Sequence, residues 1–194
     1  MINYTDCVID LETIGNAPHR QIVILSIGAV LFNPGDEDTM ADLVDDRCLY
    51  YRLDLEDQQR QGLQIDSSAI EWWMQQGTMA RQVFKEPVVS PAQFILDFNK
   101  FLVDYGVEYL WGNGNTFDNM ILRNFYAAYN MVLPIHWARD MDMRTLKRRA
   151  GGYRPYIDRG TEHNALEDAK YETLCIQDYW RMTHRSEPRS RRIG

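Results

Sequence analysis

Residues 6–12 read DCVIDLE and residues 22–32 read IVILSIGAVLF, and these two stretches decide the fold. Both are rich in β-branched residues, which pack well on a pleated surface and lose freedom in a helix. The second falls short of the roughly 20 apolar residues needed to cross a bilayer, and it contains Ser26 and Gly28, so it reads as a buried strand. After a turn-forming, acidic stretch that begins NPGDED at residue 33, RCLYYRL (47–53) repeats the pattern. Three consecutive strands joined by turns predict an antiparallel meander.

Downstream the apolar period changes to that of helices. Residues 67–79 read as a helix with Ala69, Trp73 and Gln76 on one side. Trp72 stands about 100° round from Trp73, so one of the two tryptophans is expected to be half buried. Ser90 as cap, Pro91 at the first helical position and Gln93 completing a capping box start the clearest helix. It carries Phe94, Ile95, Phe98, Phe101, Leu102 and Tyr105 and ends at Gly106. Then come an expected strand over 107–111, a helix over 117–129, a strand over 134–138 and a helix from an Asp142 cap to Ala150, broken by Gly151 and Gly152. A last helix over about 164–183 bears Leu166, Ala169, Thr173, Ile176 and Trp180 as a stripe. Three strands followed by alternating helices and strands predict an α/β layered domain with a mixed sheet. No repeat or linker divides it, so residues 1–183 read as one domain and 184–194 as a basic, flexible tail.

Composition narrows the function. The 194 residues are 45% hydrophobic, enough for a sizeable core, and carry a net charge of −7. Bulk electrostatic grip on nucleic acid needs a positive surface, so any such grip must come from local basic segments or from cations held by acids. Cys7, Cys48 and Cys175 are odd in number, widely spaced and form no CxxC pair, which fits a reducing cytoplasm. The first residues lack a basic region followed by an apolar one, so no secretory signal is expected. His19, His136 and His184 have no zinc-like spacing, and Asp36-Glu37-Asp38 reads as a solvated turn.

Three acidic clusters carry the chemistry. Asp10 and Glu12 lie two apart on the first strand and project from one face, with Ile9 and Leu11 on the other. Carboxylates held so close raise each other's pKa unless a cation sits between them, and a hard divalent ion is the simplest resolution. For that pair alone, an exposed strand end is the more ordinary reading. Asp118 opens a helix after WGNGNTF, where an acid also suits the helix dipole. Gly112-Asn113-Gly114 mimics a dinucleotide-binding turn, but Phe117 stands at the third glycine position and Asp118 would repel a pyrophosphate. His163 and Asp168 bracket the start of the last helix, pairing an imidazole that can take a proton from water with a carboxylate of metal-ligand type. Lys147-Arg148-Arg149, Arg154 and Arg159, interleaved with Tyr153 and Tyr156, suit a single strand of nucleic acid. A helix C-terminus followed by a surface loop explains the same stretch equally well.

The ordered set of D-x-E, FD and H-x-A-x-x-D resembles the three motifs of the DEDDh 3′→5′ exonucleases, on a ribonuclease H-like fold. DLETIG, SIGAVLF, IEWWMQQ, WGNGNTFDNMIL, DMRTL and GTEHNALEDA resemble more narrowly the small 3′→5′ exoribonucleases of mycobacterial and phage type, related to phage exodeoxyribonuclease A. The likeness runs to about Trp180. It implies that Asp10, Glu12, Asp118 and Asp168 hold two Mg²⁺ or Mn²⁺ ions, that His163 is the general base, and that Thr13, Ile14 and Asn115 meet the substrate. Many DEDDh enzymes carry Asn four residues before the mid-chain Asp; here that position is Gly114. The implied substrate is single-stranded RNA or DNA, RNA slightly favoured, with no membrane partner and with a homodimer admitted by Trp72 and Trp73. A DNA exonuclease or proofreading role, and a catalytically silent binding module of the same fold, are the alternatives.

Overall fold

A computed structural model describes residues 3–16, 21–158, 160 and 162–184. Strands β1 (Asp6–Thr13), β2 (Ile24–Phe32) and β3 (Cys48–Arg52) form the antiparallel meander. Strands β4 (Tyr109–Gly112) and β5 (Asp140–Asp142) extend the sheet in parallel beyond β1, giving the order β3-β2-β1-β4-β5. The helices are α1 (Leu55–Arg60), α2 (Ser67–Gln75), α3 (Pro91–Asp104), α4 (Asp118–Ala128), α5 (Met143–Arg149) and α6 (Ala165–His184).

Strand alternation divides the interior into two cores. Cys7, Ile9 and Leu11 of β1 join Phe94 and Phe98 of α3 and Leu122 and Phe125 of α4. Val8 points the other way, to Phe32, Trp111, Met143 and the α6 residues Ile176 and Tyr179. Every residue of β2 is buried because helices cover both faces, which is why its sequence is an unbroken apolar run. By the same period of two, Asp10 and Glu12 continue the Val8 face and emerge beneath the start of α6.

Gly28 sets how closely α6 approaches. It pairs with Asp10 across the β1–β2 ladder, and a Cβ there would lie 2.2 Å from the Ala165 carbonyl oxygen and 2.5 Å from the Leu166 nitrogen. The first turn of α6 therefore rests directly on strand backbone. Gly28→Ala is expected to cost about 3 kcal/mol, the upper end for overpacking, because the obstructing atoms are main chain. For a chain of this size that lowers the thermal midpoint by roughly 6–12 °C in calorimetry; an unchanged midpoint would mean α6 shifts freely.

Local signals at helix ends agree with the chain's chemistry. Ser90 accepts from the Gln93 amide at 3.2 Å, although the Gln93 side chain turns to Asp97 and leaves the capping box half closed. Asp142 accepts from Thr145 at 2.8 Å to start α5, and the Asn164 side chain accepts from Leu166 and Glu167 to start α6.

Three expectations are corrected, and one helix is added. Residues 134–138 form no strand: Leu133 and Ile135 drop into the first core, and the ladder to β4 is made by Asp140–Asp142. Helix α2 stops at Gln75, and residues 80–85 make a separate 3-10 turn. Helix α1 was not expected; it is capped by Asp54, and its buried Gln58 side chain bonds both the amide and the carbonyl of Ile24 at 2.8 Å. Asp38 does not belong to a solvated turn. It takes two hydrogen bonds from Arg47, at 2.9 and 2.7 Å, and one from Gln177, and the guanidinium holds its carboxyl below the usual range. His19 and residues 185–194 of the expected tail lie outside the described residues.

Candidate metal centre

Strand β1, the amino end of α4 and the amino end of α6 meet at one edge of the second core. Carboxylate oxygens of Asp10, Glu12 and Asp168 all lie within 4.8 Å of one another. Asp118 joins from α4, 4% exposed, its carboxylate held by the backbone amides of Gly114, Asp118 itself and Leu11. The Gly114 amide donates to its Oδ2 at 3.4 Å. Asp168 is 3% exposed and accepts from the His163 backbone amide at 3.0 Å, closing the turn into α6.

His163 stands at the rim. Its Nδ1 is 3.9 Å from Glu12 Oε1, and its backbone is left-handed at φ 61, a region that Asn, Asp and His enter more readily than other non-glycine residues. The edge-on ring of Trp72 supports the imidazole at a centroid distance of 4.9 Å. Trp73 fixes α2 in place by donating from Nε1 to the Thr13 carbonyl at 2.9 Å, and it is buried while Trp72 is half exposed.

The electrostatics favour a cation. Burial raises the Asp10 carboxyl well above the usual carboxylate range, and the charges of Glu172, Asp118, Glu12 and Asp168 raise it further. Burial pushes Asp118 up to about 6 against the pull of its backbone donors and of Arg144. The donors are all oxygen, the set that hard divalent ions prefer. A carboxyl with a raised folded-state pKa binds more protons folded than unfolded, so the metal-free protein is expected to lose stability as pH rises from about 4 through about 6. Thermal melts in EDTA across that window check this, and a midpoint that climbs instead would contradict it.

Glu172 escaped sequence reasoning. It is 1% exposed, one helical turn beyond Asp168, and among the neighbouring charges it acts most strongly on Asp10. The signal was the spacing of four from Asp168, which places both on one face of α6. Of the expected substrate contacts, Thr13 lines a cavity of about 380 Å³ with Glu12, Ser68, Trp72 and Phe117. Ile14 instead faces an apolar pocket with Trp73 and Phe84 and is 4% exposed. Asn115 is half buried, and its backbone amide donates to Asp142 at 3.2 Å.

A mixed five-stranded sheet with this acidic cluster at the meeting of β1, α4 and α6 is the layout of a DEDDh-type exonuclease domain on the ribonuclease H-like fold. The chain belongs to the 3′-5′ exoribonuclease Rv2179c-like domain family, whose model matches residues 5–180. An exodeoxyribonuclease of Enterobacteria phage T4 is 30% identical over 123 residues, 60% of this chain and 53% of the phage protein. Exonuclease I of E. coli, in complex with a dA16 oligonucleotide, superposes with a TM-score of 0.66 at 14% identity, over 94% of this chain and 42% of that one. The nuclease domain of 3'hExo, a DEDDh family member bound to rAMP, gives 0.53 at 13% identity over 90% and 91% of the two chains. The chain thus spans about half the length of the phage relative and less than half of exonuclease I.

Proposed function

We propose that the protein is a metal-dependent 3′→5′ exonuclease releasing 5′-mononucleotides from single-stranded nucleic acid. The observation that carries this reading is the convergence of Asp10, Glu12 and Asp168 oxygens within 4.8 Å, with Asp118 beside them and the His163 imidazole at the rim. Asp10, Glu12, Asp118 and Asp168 would hold two divalent ions, Mg²⁺ or Mn²⁺. Such a pair supplies Lewis-acid stabilisation of phosphoryl charge and a lowered water pKa when bound. Saturation at a hundred times the dissociation constant adds about 2.7 kcal/mol, so Mg²⁺ or Mn²⁺ is expected to raise the thermal midpoint by roughly 5–10 °C near neutral pH.

The chain's own groups do the rest. His163 takes a proton from the attacking water as its oxygen bonds to the phosphorus of the last phosphodiester. The bond to the preceding 3′ oxygen breaks, that oxygen takes a proton from solvent water to become the new 3′ hydroxyl, and His163 returns its own proton to solvent. The cavity lined by Thr13, Trp72 and Phe117 suits the terminal nucleotide, since its volume is in the range of small-ligand sites and aromatic faces stack on any base. Asn115, three residues before Asp118 with its backbone amide on Asp142, is the third expected contact. Lys147, Arg148, Arg149 and Arg154, with half-exposed Tyr153 and fully exposed Tyr156, offer a path for the strand beyond.

Family membership supports RNA as substrate, whereas the likeness to the phage exodeoxyribonuclease supports DNA as the second reading. The presence of all five of Asp10, Glu12, Asp118, His163 and Asp168 speaks against a silent binding module, since pure binding has no need of a general base. Three free cysteines suit a reducing cytoplasm, and no described helix is long and apolar enough to cross a membrane. Trp73 is in the core, whereas Trp72 is 41% exposed and open to a homodimer contact; light scattering decides it. Digestion of 3′- and 5′-labelled RNA and DNA oligomers with Mg²⁺, Mn²⁺ and EDTA tests the whole reading. Metal-dependent mononucleotide release from the 3′ end is the expected result, and endonucleolytic fragments or metal-independent cleavage would overturn it.

A further inference from the structure

We infer that Arg144 is a substrate-positioning residue whose guanidinium grips a phosphate of the bound strand beside the metal centre; this rests on the exonuclease reading above. A chain with a charge of −7 must find its phosphate grip locally, and Arg144 is the cation placed to provide it. Its guanidinium lies over Gly114: a Cβ added there would sit 3.2 Å from Nη1 and 3.3 Å from Cζ. The Arg144 side chain therefore fills the space that any side chain at position 114 would need. The amide of that same glycine donates to Asp118 Oδ2, and the Arg144 charge pulls on the Asp118 carboxyl.

Several other arginines of the chain are already engaged. Arg47, Arg123, Arg139 and Arg181 each hold a carboxylate within 3.0 Å. Arg144 is exposed, forms no ion pair among the described residues, and donates only to the neutral Asn113 side chain at 3.4 Å. Helix electrostatics do not account for it either. Lys147, Arg148 and Arg149 occupy the last turn of α5, where cations are favoured, but Arg144 is in the first turn, where they are not. Arg144, Lys147 and Arg148 line one open groove with Gly151 and Gly152, so the guanidinium stands at the site end of a basic track. Its planar fork matches two non-bridging phosphate oxygens, a geometry that lysine does not reproduce.

The test uses the full chain and single-stranded oligomers. Arg144→Ala is expected to raise KM about 10–100-fold, which is about 1.4–2.8 kcal/mol and within the worth of a charge-assisted hydrogen bond, with kcat changing far less. The dependence of log affinity on log salt should flatten by about 1. Arg144→Lys should recover the salt slope but only part of the KM. Methylphosphonate placed at one linkage at a time should reveal a position whose neutralisation weakens the wild type and leaves the alanine variant unaffected. Matching thermal midpoints would show that the alanine variant is folded. Unchanged KM, salt slope and methylphosphonate response in a variant of an active wild type would overturn the role of Arg144 and leave the exonuclease reading standing. A wild type that releases no mononucleotide would sink the reading itself, and this inference with it.

Discussion

Replacing Asp10 by asparagine is expected to slow hydrolysis about 10⁴-fold while raising the thermal midpoint of the metal-free protein. The two effects share one cause. Asp10 is half-buried among four other carboxylates that all raise its carboxyl, so removing its charge relieves the folded state while keeping the side-chain shape. The same change removes an oxygen donor from the cluster, and losing about 5 kcal/mol of charge stabilisation at 1.36 kcal/mol per tenfold gives that loss of rate. Rates on 3′-labelled oligomers and melts in EDTA read the two halves separately. A variant within tenfold of wild type would remove Asp10 from the centre, and a lowered metal-free midpoint would show that repulsion does not govern the site.

The second large effect is expected at His163. His163→Gly should lower kcat by about 10²–10⁴-fold, the usual worth of a general base, with metal affinity preserved. Stability should hold or rise by up to about 1 kcal/mol, because glycine adopts φ 61 without the strain a side chain brings, against its greater freedom when unfolded. The backbone amide that donates to Asp168 survives the change, so the turn into α6 stays closed. Single-turnover kinetics and metal titration calorimetry distinguish this outcome from simple loss of metal, which would falsify the assignment of the imidazole as proton acceptor.

How much of this was legible in the sequence depended on how local each signal is. The D-x-E pair on β1 shows its geometry directly, since a strand's period of two fixes which side chains share a face. The caps at Ser90 and Asp142 are equally local. Strand β5 was not legible because Asp140-Met141-Asp142 has no strand character of its own; pairing with β4 makes it one, while Leu133 and Ile135 mimic alternation and turn out to be core contacts. Gln58 looks like a surface residue until its amide is seen completing the ladder at Ile24. Asp38 and Arg47 are nine residues apart, with no periodic pattern linking them, and only the packing of α6 brings Gln177 to join them. Glu172 was hidden for the same reason: a charged residue on a helix reads as solvated until the partner face is known.

The close seat of α6 on Gly28 ties the acidic cluster to long-range packing. Asp10 and Glu12 lie on the first strand, whereas Asp168 and His163 reach them only when α6 is seated on β2. A fold in which that helix is undocked therefore holds only part of the carboxylate set, and the cluster is a readout of complete assembly.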